Sequence, residues 1–361
     1  MDGLRGYAAV AVVVFHSITE CDPTLDQRIV GPTIQKIHGL YDVVTKLVLM
    51  AVSGEAAVVI FFVLSGAVLF ESLKQRHAGA VATAVGFSVR RLLRLYPTFF
   101  VSLVGCLAAF AVAGAFPFEA GHFWPNAALY NFSVHGASWT LQVEFLAVPF
   151  ILVGYWCYRR FGIMGIASTY AIFATVLCAP WLRTHFVIYQ RFLSCFALGL
   201  LIPTRAGAEV ARRLPEVAWV PVLVGMLASR SIMGLHWWSM DVEQILAALL
   251  VTLLFYKRAG GLGRFLDRGV SQYLGRMSYS VYLFNVIYLI LVVQLTQRLS
   301  AVRSHPLEWG VLLAIPILAA TIATAHFAEI GLERPSIALG RRLTRFSVRP
   351  ELPVERVPAL P

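Results

Sequence analysis

The chain has 361 residues, of which 58% are apolar and only 14% charged, and its mean hydropathy is +0.73. This excludes an ordinary soluble domain and describes a polytopic membrane protein. The net charge of +11 does not call for nucleic acid, because no basic stretch is interleaved with aromatics in a soluble segment.

Apolar runs long enough for a bilayer recur along the whole chain, and period-2 alternation does not dominate. The expected fold is therefore an all-α bundle of membrane-spanning helices rather than a barrel. Ten spans are predicted, at 4–20, 47–72, 91–115, 139–158, 163–180, 187–203, 217–235, 241–256, 276–297 and 308–329. Residues 1–335 form one transmembrane domain and 336–361 a basic cytoplasmic tail. The five cysteines form no CxxC and no His/Cys ligand spacing, so neither a disulfide framework nor a metal site is indicated.

The first span carries the most informative pair, Arg5 and His16, in a segment that reads as a retained signal anchor. Arg5 stands so close to Met1 that further residues upstream are expected. Eleven residues of helix turn through about 1100°, so the two side chains share one face to within about 20°. They stand about 16 Å apart along the axis and cannot touch. Ionisable groups in a span are costly and mark a substrate or ion path, so a long polar ligand is expected along this face.

Farther along, Glu55 follows Ser53-Gly54, and Phe61-Phe62-Val63-Leu64-Ser65-Gly66 ends in small residues suited to close helix packing. Arg90-Arg91-Leu92-Leu93-Arg94-Leu95-Tyr96-Pro97 opens the third span, with Arg91 and Arg94 as i, i+3 neighbours. Segments 21–46 and 116–138 are the longest outer connections. The second carries Phe118, His122, Phe123, Trp124, Asn126, Tyr130, Asn131 and His135, which reads either as an interfacial aromatic belt or as a loop that binds an acceptor sugar. Glu144, in Trp139-Thr140-Leu141-Gln142-Val143-Glu144, is a scarce acid within a span. It either orients His16, holds an arginine or stays protonated.

Lysine and arginine placement tests this topology, because cytoplasmic loops of short-looped membrane proteins carry the positive excess. With both termini cytoplasmic, 22 of the 30 basic residues fall on that side. Orientation and attraction to anionic headgroups account for the net charge.

His16 is the candidate catalyst, since an imidazole takes a proton from a hydroxyl near neutrality; packing by a helix-helix hydrogen bond is the competing role. Arg91 and Arg94 are candidate phosphate grips, because guanidinium forks bind phosphate oxygens bidentately; anchoring by positive charge is the alternative. A transporter or flippase for a glycan or lipid, acting without covalent chemistry, is the rival to an enzyme, although no internal repeat or matching pair of broken helices favours it.

Asp2-Gly3-Leu4-Arg5-Gly6 with His16, the Phe61–Gly66 run, Arg91-x-x-Arg94-x-x-Pro97, Trp139-x-Leu141-x-Val143-Glu144 and Ser278-Tyr279-Ser280-Val281-Tyr282-Leu283 follow one another in order. Together with Glu333-Arg334-Pro335 they resemble the acyltransferase 3 family of integral-membrane acyltransferases, in its stand-alone type without an extracytoplasmic hydrolase-like domain. The resemblance runs from residue 2 to about 335. It implies transfer of an acyl group, most often acetyl from acetyl-CoA, to a hydroxyl of a cell-envelope glycan, a lipid-linked saccharide or a small secreted molecule, in a bacterial cytoplasmic membrane. Carried over by motif, His16 is the essential residue, with Glu144 as a second catalytic candidate; Arg5, Arg91 and Arg94 bind the acyl-CoA donor, and no metal takes part. Where the family has His after the Ser-Tyr-x-x-Tyr-Leu run, this chain has Asn285, so a proton relay at that position is in doubt. On this reading the Arg5–His16 separation suits a donor with phosphates at one end and a reactive carbonyl at the other. His16 acts either as a base or as an acyl carrier.

Overall fold

A computed structural model of the chain describes residues 1–75, 79–115, 122–257, 260–296 and 299–345. Phe118, Arg76, Arg258, Arg298, Arg349, Arg356 and the tail beyond residue 345 lie outside the described residues. Among the described residues every regular element is helical, as expected from spans that must satisfy their own backbone groups in lipid.

The elements are α1 (Asp2–Thr19), α2 (Leu40–Ala51), α3 (Gly54–Lys74), α4 (Ala80–Val112), α5 (Phe123–Ala127), α6 (Trp139–Phe161), α7 (Ile163–Leu177), α8 (Pro180–His185) and α9 (Val187–Leu201). They continue with α10 (Arg205–Arg213), α11 (Trp219–Met233), α12 (Trp237–Lys257), α13 (Gly260–Leu266), α14 (Gly269–Arg276), α15 (Ser278–Thr296), α16 (Ser300–Ser304), α17 (Pro306–Ala328) and α18 (Arg334–Leu343). Six helical stretches are long and apolar enough to cross a bilayer, and up to eight if the bent pairs α9–α10 (83°) and α14–α15 (67°) each count as one span. The other two expected spans coincide with α1, an 18-residue helix, and with α7, which has 15 residues. The 187–203 and 276–297 spans thus belong to bent helices, not straight rods. The protein is a multi-pass membrane protein.

The middle of the bundle is α1, packed against α3, α14, α15 and α17. Its glycines explain the closeness of its contacts with α13 and α14. A Cβ at Gly3 would lie 2.4 Å from the Leu266 carbonyl oxygen, and one at Gly6 would lie 2.7 Å from the Gly275 nitrogen. The α3–α9 crossing follows the same rule: a Cβ at Gly199 would stand 2.5 Å from the Val63 carbonyl oxygen and 2.9 Å from the Gly66 Cα. The run ending at Gly66 is therefore a packing seam, as its small residues suggested. In lipid, where burial of apolar surface drives association only weakly, such close backbone approach supplies much of the helix-helix attraction. Around it Phe62, Phe70, Phe150 and Phe196 fill the interior, while Ile172, Val224, Leu312, Ile315 and Phe327 stay exposed on an apolar surface suited to lipid.

The basic elements gather at one end. Arg90 donates to the Thr344 hydroxyl at 2.7 Å, Lys74 donates to the Pro203 carbonyl at 3.0 Å, and Gly275 packs against Asp2. Met1 and Thr344 therefore share an end with the arginines of α10, α13, α14 and α18. At the other end Lys46 gives its three protons to the carbonyls of Ile29, Val30 and Pro32 at 2.7–2.9 Å. Tyr41 there donates to Glu308 at 2.8 Å, tying α2 to α17.

Candidate active site

Two cavities lie along α1. The narrower, of about 330 Å³, is lined by Arg5, Arg91, Arg94, Glu144, Ser65, Tyr279 and neighbours. The wider, of about 950 Å³, is lined by His16, Glu55, Trp139, Arg230, Glu243 and Asn285 among others. Val58 of α3 and Tyr282 of α15 line both, so the two spaces adjoin at these side chains. The volumes fall in the range of small-molecule sites. One turn of α1 puts Arg5 into the first cavity, and the face it shares with His16 puts the imidazole into the second.

The narrow cavity is cationic. Arg91 is buried and donates to Glu144 at 2.7 Å and to the Ser65 hydroxyl at 3.0 Å. Arg5 lies within electrostatic reach of Arg94, Glu144, Asp2 and Arg91. Among the described residues, neither Arg5 nor Arg94 has a hydrogen bond or ion pair, so two guanidiniums face the cavity uncommitted while the third is oriented by a carboxylate. That donor set fits phosphates, which accept several charge-assisted hydrogen bonds at once. Tyr279, the second residue of the Ser278–Leu283 run, donates to the Leu95 carbonyl at 2.5 Å and so fixes α15 against α4 beside this site.

Glu144, a catalytic candidate from the sequence, therefore lies with the arginines and holds Arg91, whereas His16 lines the other cavity. His16 stands edge-on to Phe15, with ring centroids 5.5 Å apart. Its ring nitrogens have no hydrogen-bond partner among the described residues, so the imidazole is not a helix-helix hydrogen-bonding group. Asn285 lines the same cavity but turns its amide NH₂ to the Val281 and Tyr282 carbonyls at 3.1 and 2.5 Å. It caps its own helix turn there and offers no titratable group.

The described part of the segment before α6 divides between buried framework and exposed aromatics. Asn126 and His135 are fully buried: Asn126 bonds the Val134 backbone at 3.0 Å and His135 Nε2 the Ser102 hydroxyl at 2.8 Å. Trp124 and Tyr130 are exposed. Only Gly136, Ala137 and Trp139 of this region reach the wide cavity. Two residues that the sequence reading passed over do line it, Arg230 and Glu243. Arg230 Nη1 pairs closely with Glu55, and its Nε stands 3.9 Å from Glu243. The signal was available: Glu243 is an acid inside an apolar span, which needs a partner.

A family model described as an acyltransferase domain (Acyl_transf_3) matches residues 1–326 of the chain. The chain belongs to the acyltransferase 3 family. No curated protein and no solved structure matches it. The match spans every residue lining the two cavities, so the acyltransferase region contains both the cationic site and the His16 site. Among the described residues no group of three His, Cys, Asp or Glu side chains could hold a metal.

Proposed function

We propose that this acyltransferase moves an acyl group, acetyl from acetyl-CoA, to a hydroxyl of a cell-envelope glycan or lipid-linked saccharide in a bacterial cytoplasmic membrane. Both termini are cytoplasmic in this reading, and the arginine-rich end around Arg90 and Thr344 supports that orientation. The observation that carries the reading is the pair of cavities side by side on α1, one cationic and one holding a free imidazole; in this reading Val58 and Tyr282, which line both, form a neck between them.

The narrow site suits the donor. Arg5, Arg91 and Arg94 hold its phosphates, and Glu144 keeps Arg91 aimed rather than acting on the reacting atoms. The thioester supplies an activated carbonyl with a thiolate leaving group. His16 accepts the proton of the acceptor hydroxyl as its oxygen bonds to the acyl carbon. The carbon–sulfur bond breaks, and the proton held on His16 is released to the leaving sulfur or to solvent. Separate cavities keep acceptor and donor headgroup apart until the acyl carbon reaches the neck, which limits loss of the thioester to water.

The experiment is to supply acetyl-CoA radiolabelled in the acetyl group to membranes containing the protein. Label on a base-labile glycan or lipid-saccharide fraction, absent with His16→Ala, is the expected result. Movement of saccharide across the membrane without labelling would sink the proposal in favour of a transporter.

A further inference from the structure

Arg230 and Glu243 line the wide cavity, and Arg230 Nε and Glu243 Oε2, both buried and without a hydrogen-bond partner, stand 3.9 Å apart. Glu243 is only 1% exposed. An unsatisfied buried donor beside an unsatisfied buried acceptor is costly, and native structures keep such pairs where a ligand or water completes them. A gap of 3.9 Å is too long for a direct hydrogen bond, yet one oxygen can sit about 2.8 Å from both atoms. A hydroxyl suits this position because it accepts from the guanidinium and donates to the carboxylate at the same time.

The charge of the lining narrows the ligand further. Arg230 is already paired with Glu55, and Lys46 has given its protons to three backbone carbonyls. The charged side chains lining the cavity are Glu20, Asp26, Glu55 and Glu243 against Lys46, Arg191 and Arg230, so the two signs nearly balance. Such a lining offers no surplus charge to hold an ionic ligand and suits an uncharged one.

We propose that Glu243 and Arg230 form an acceptor subsite that grips one hydroxyl of an uncharged, hydroxyl-rich ring and so presents a neighbouring hydroxyl to His16. This rests on the acyl-transfer reading above and names its acceptor class as a neutral saccharide. Glu243 and Arg230 are positioning residues: they hold the acceptor, while His16 handles the proton.

The test uses the full chain in native membranes, with radiolabelled acetyl-CoA as donor and a lipid-saccharide extract of the same membranes titrated as acceptor. Glu243→Leu is expected to raise the apparent acceptor KM by at least about tenfold, the scale of a lost hydrogen bond to a charged group, with CoA affinity unchanged. Glu243→Gln, which keeps an accepting oxygen, should recover to within about threefold of the unsubstituted protein. The labelled saccharide, released by mild acid, should pass both anion and cation exchangers. Acceptor KM unchanged in Glu243→Leu would mean that a trapped water alone fills the gap, and would overturn the proposal. So would equal loss of acceptor and CoA affinity, failure of Glu243→Gln to rescue, or label on a charged saccharide. No labelling by the unsubstituted protein would instead refute the acyl-transfer reading on which the subsite rests.

Discussion

Removing the Glu144 carboxylate separates a residue that aims an arginine from one that takes part in chemistry. Arg91 is buried and Glu144 is 18% exposed at the cavity wall, with 2.7 Å between nitrogen and oxygen. Breaking a buried ion pair costs about 3–5 kcal/mol because a charge is left uncompensated. Ser65 still accepts from Arg91 at 3.0 Å and the pair borders a polar cavity, so Glu144→Ala should lie at the lower end, about 3 kcal/mol. Glu144→Gln keeps an accepting oxygen and should cost about 1–2 kcal/mol. The same change frees Arg91 from the carboxylate that aims it at the donor phosphates, so CoA should bind about fivefold more weakly, equivalent to about 1 kcal/mol. Thermal unfolding in detergent, followed by size-exclusion fluorescence with and without saturating CoA, reads both effects. The variant should unfold at lower temperature, and CoA should stabilise it less than the unsubstituted protein. Normal stability and CoA affinity with transfer abolished would refute this reasoning and make Glu144 part of the chemistry.

Val58→Phe fills the neck shared by the two cavities; CoA affinity should stay within about threefold while transfer falls by about 100-fold or more, and undiminished transfer would mean the cavities do not communicate through it. Gly6→Val brings side-chain atoms onto the Gly275 backbone, 2.7 Å from its Cβ position, and should destabilise the folded protein by at least about 1–3 kcal/mol in the same unfolding assay. His135→Ala leaves the buried Ser102 hydroxyl without its 2.8 Å partner. It should lower stability by about 1–3 kcal/mol with transfer per folded molecule unchanged, since His135 lines neither cavity.

The helices were legible because long apolar runs in lipid leave the backbone few alternatives. The bends were less so: Pro203 marks the 83° break between α9 and α10 locally, whereas the 67° break between α14 and α15 has no proline to announce it. Arg5 and His16 could be assigned different depths from spacing alone, because both sit on one helix and helical geometry fixes their separation. The partner of Glu144 could not be assigned in the same way. Its three possible roles depend on how α6 faces α4, and nothing local in either segment encodes that orientation. Ser53 capping α3 through the Ala56 amide is local and readable, whereas Glu55 meeting Arg230 across α3 and α11 is not. The segment before α6 shows the same limit: its aromatic and amide composition does not tell which side chains turn inward, and Asn126 and His135 are the ones that do.

The most direct measurement compares His16→Ala and Arg94→Ala for CoA affinity and for acetyl transfer in the same membranes. His16→Ala should bind CoA as the unsubstituted protein does and transfer nothing, because its imidazole lies beyond the neck. Arg94→Ala should lose about tenfold or more in CoA affinity, the scale of a charge-assisted phosphate contact. Transfer by His16→Ala at the normal rate, or loss of CoA binding equal to that of Arg94→Ala, would contradict the division of donor grip and proton transfer between the two cavities.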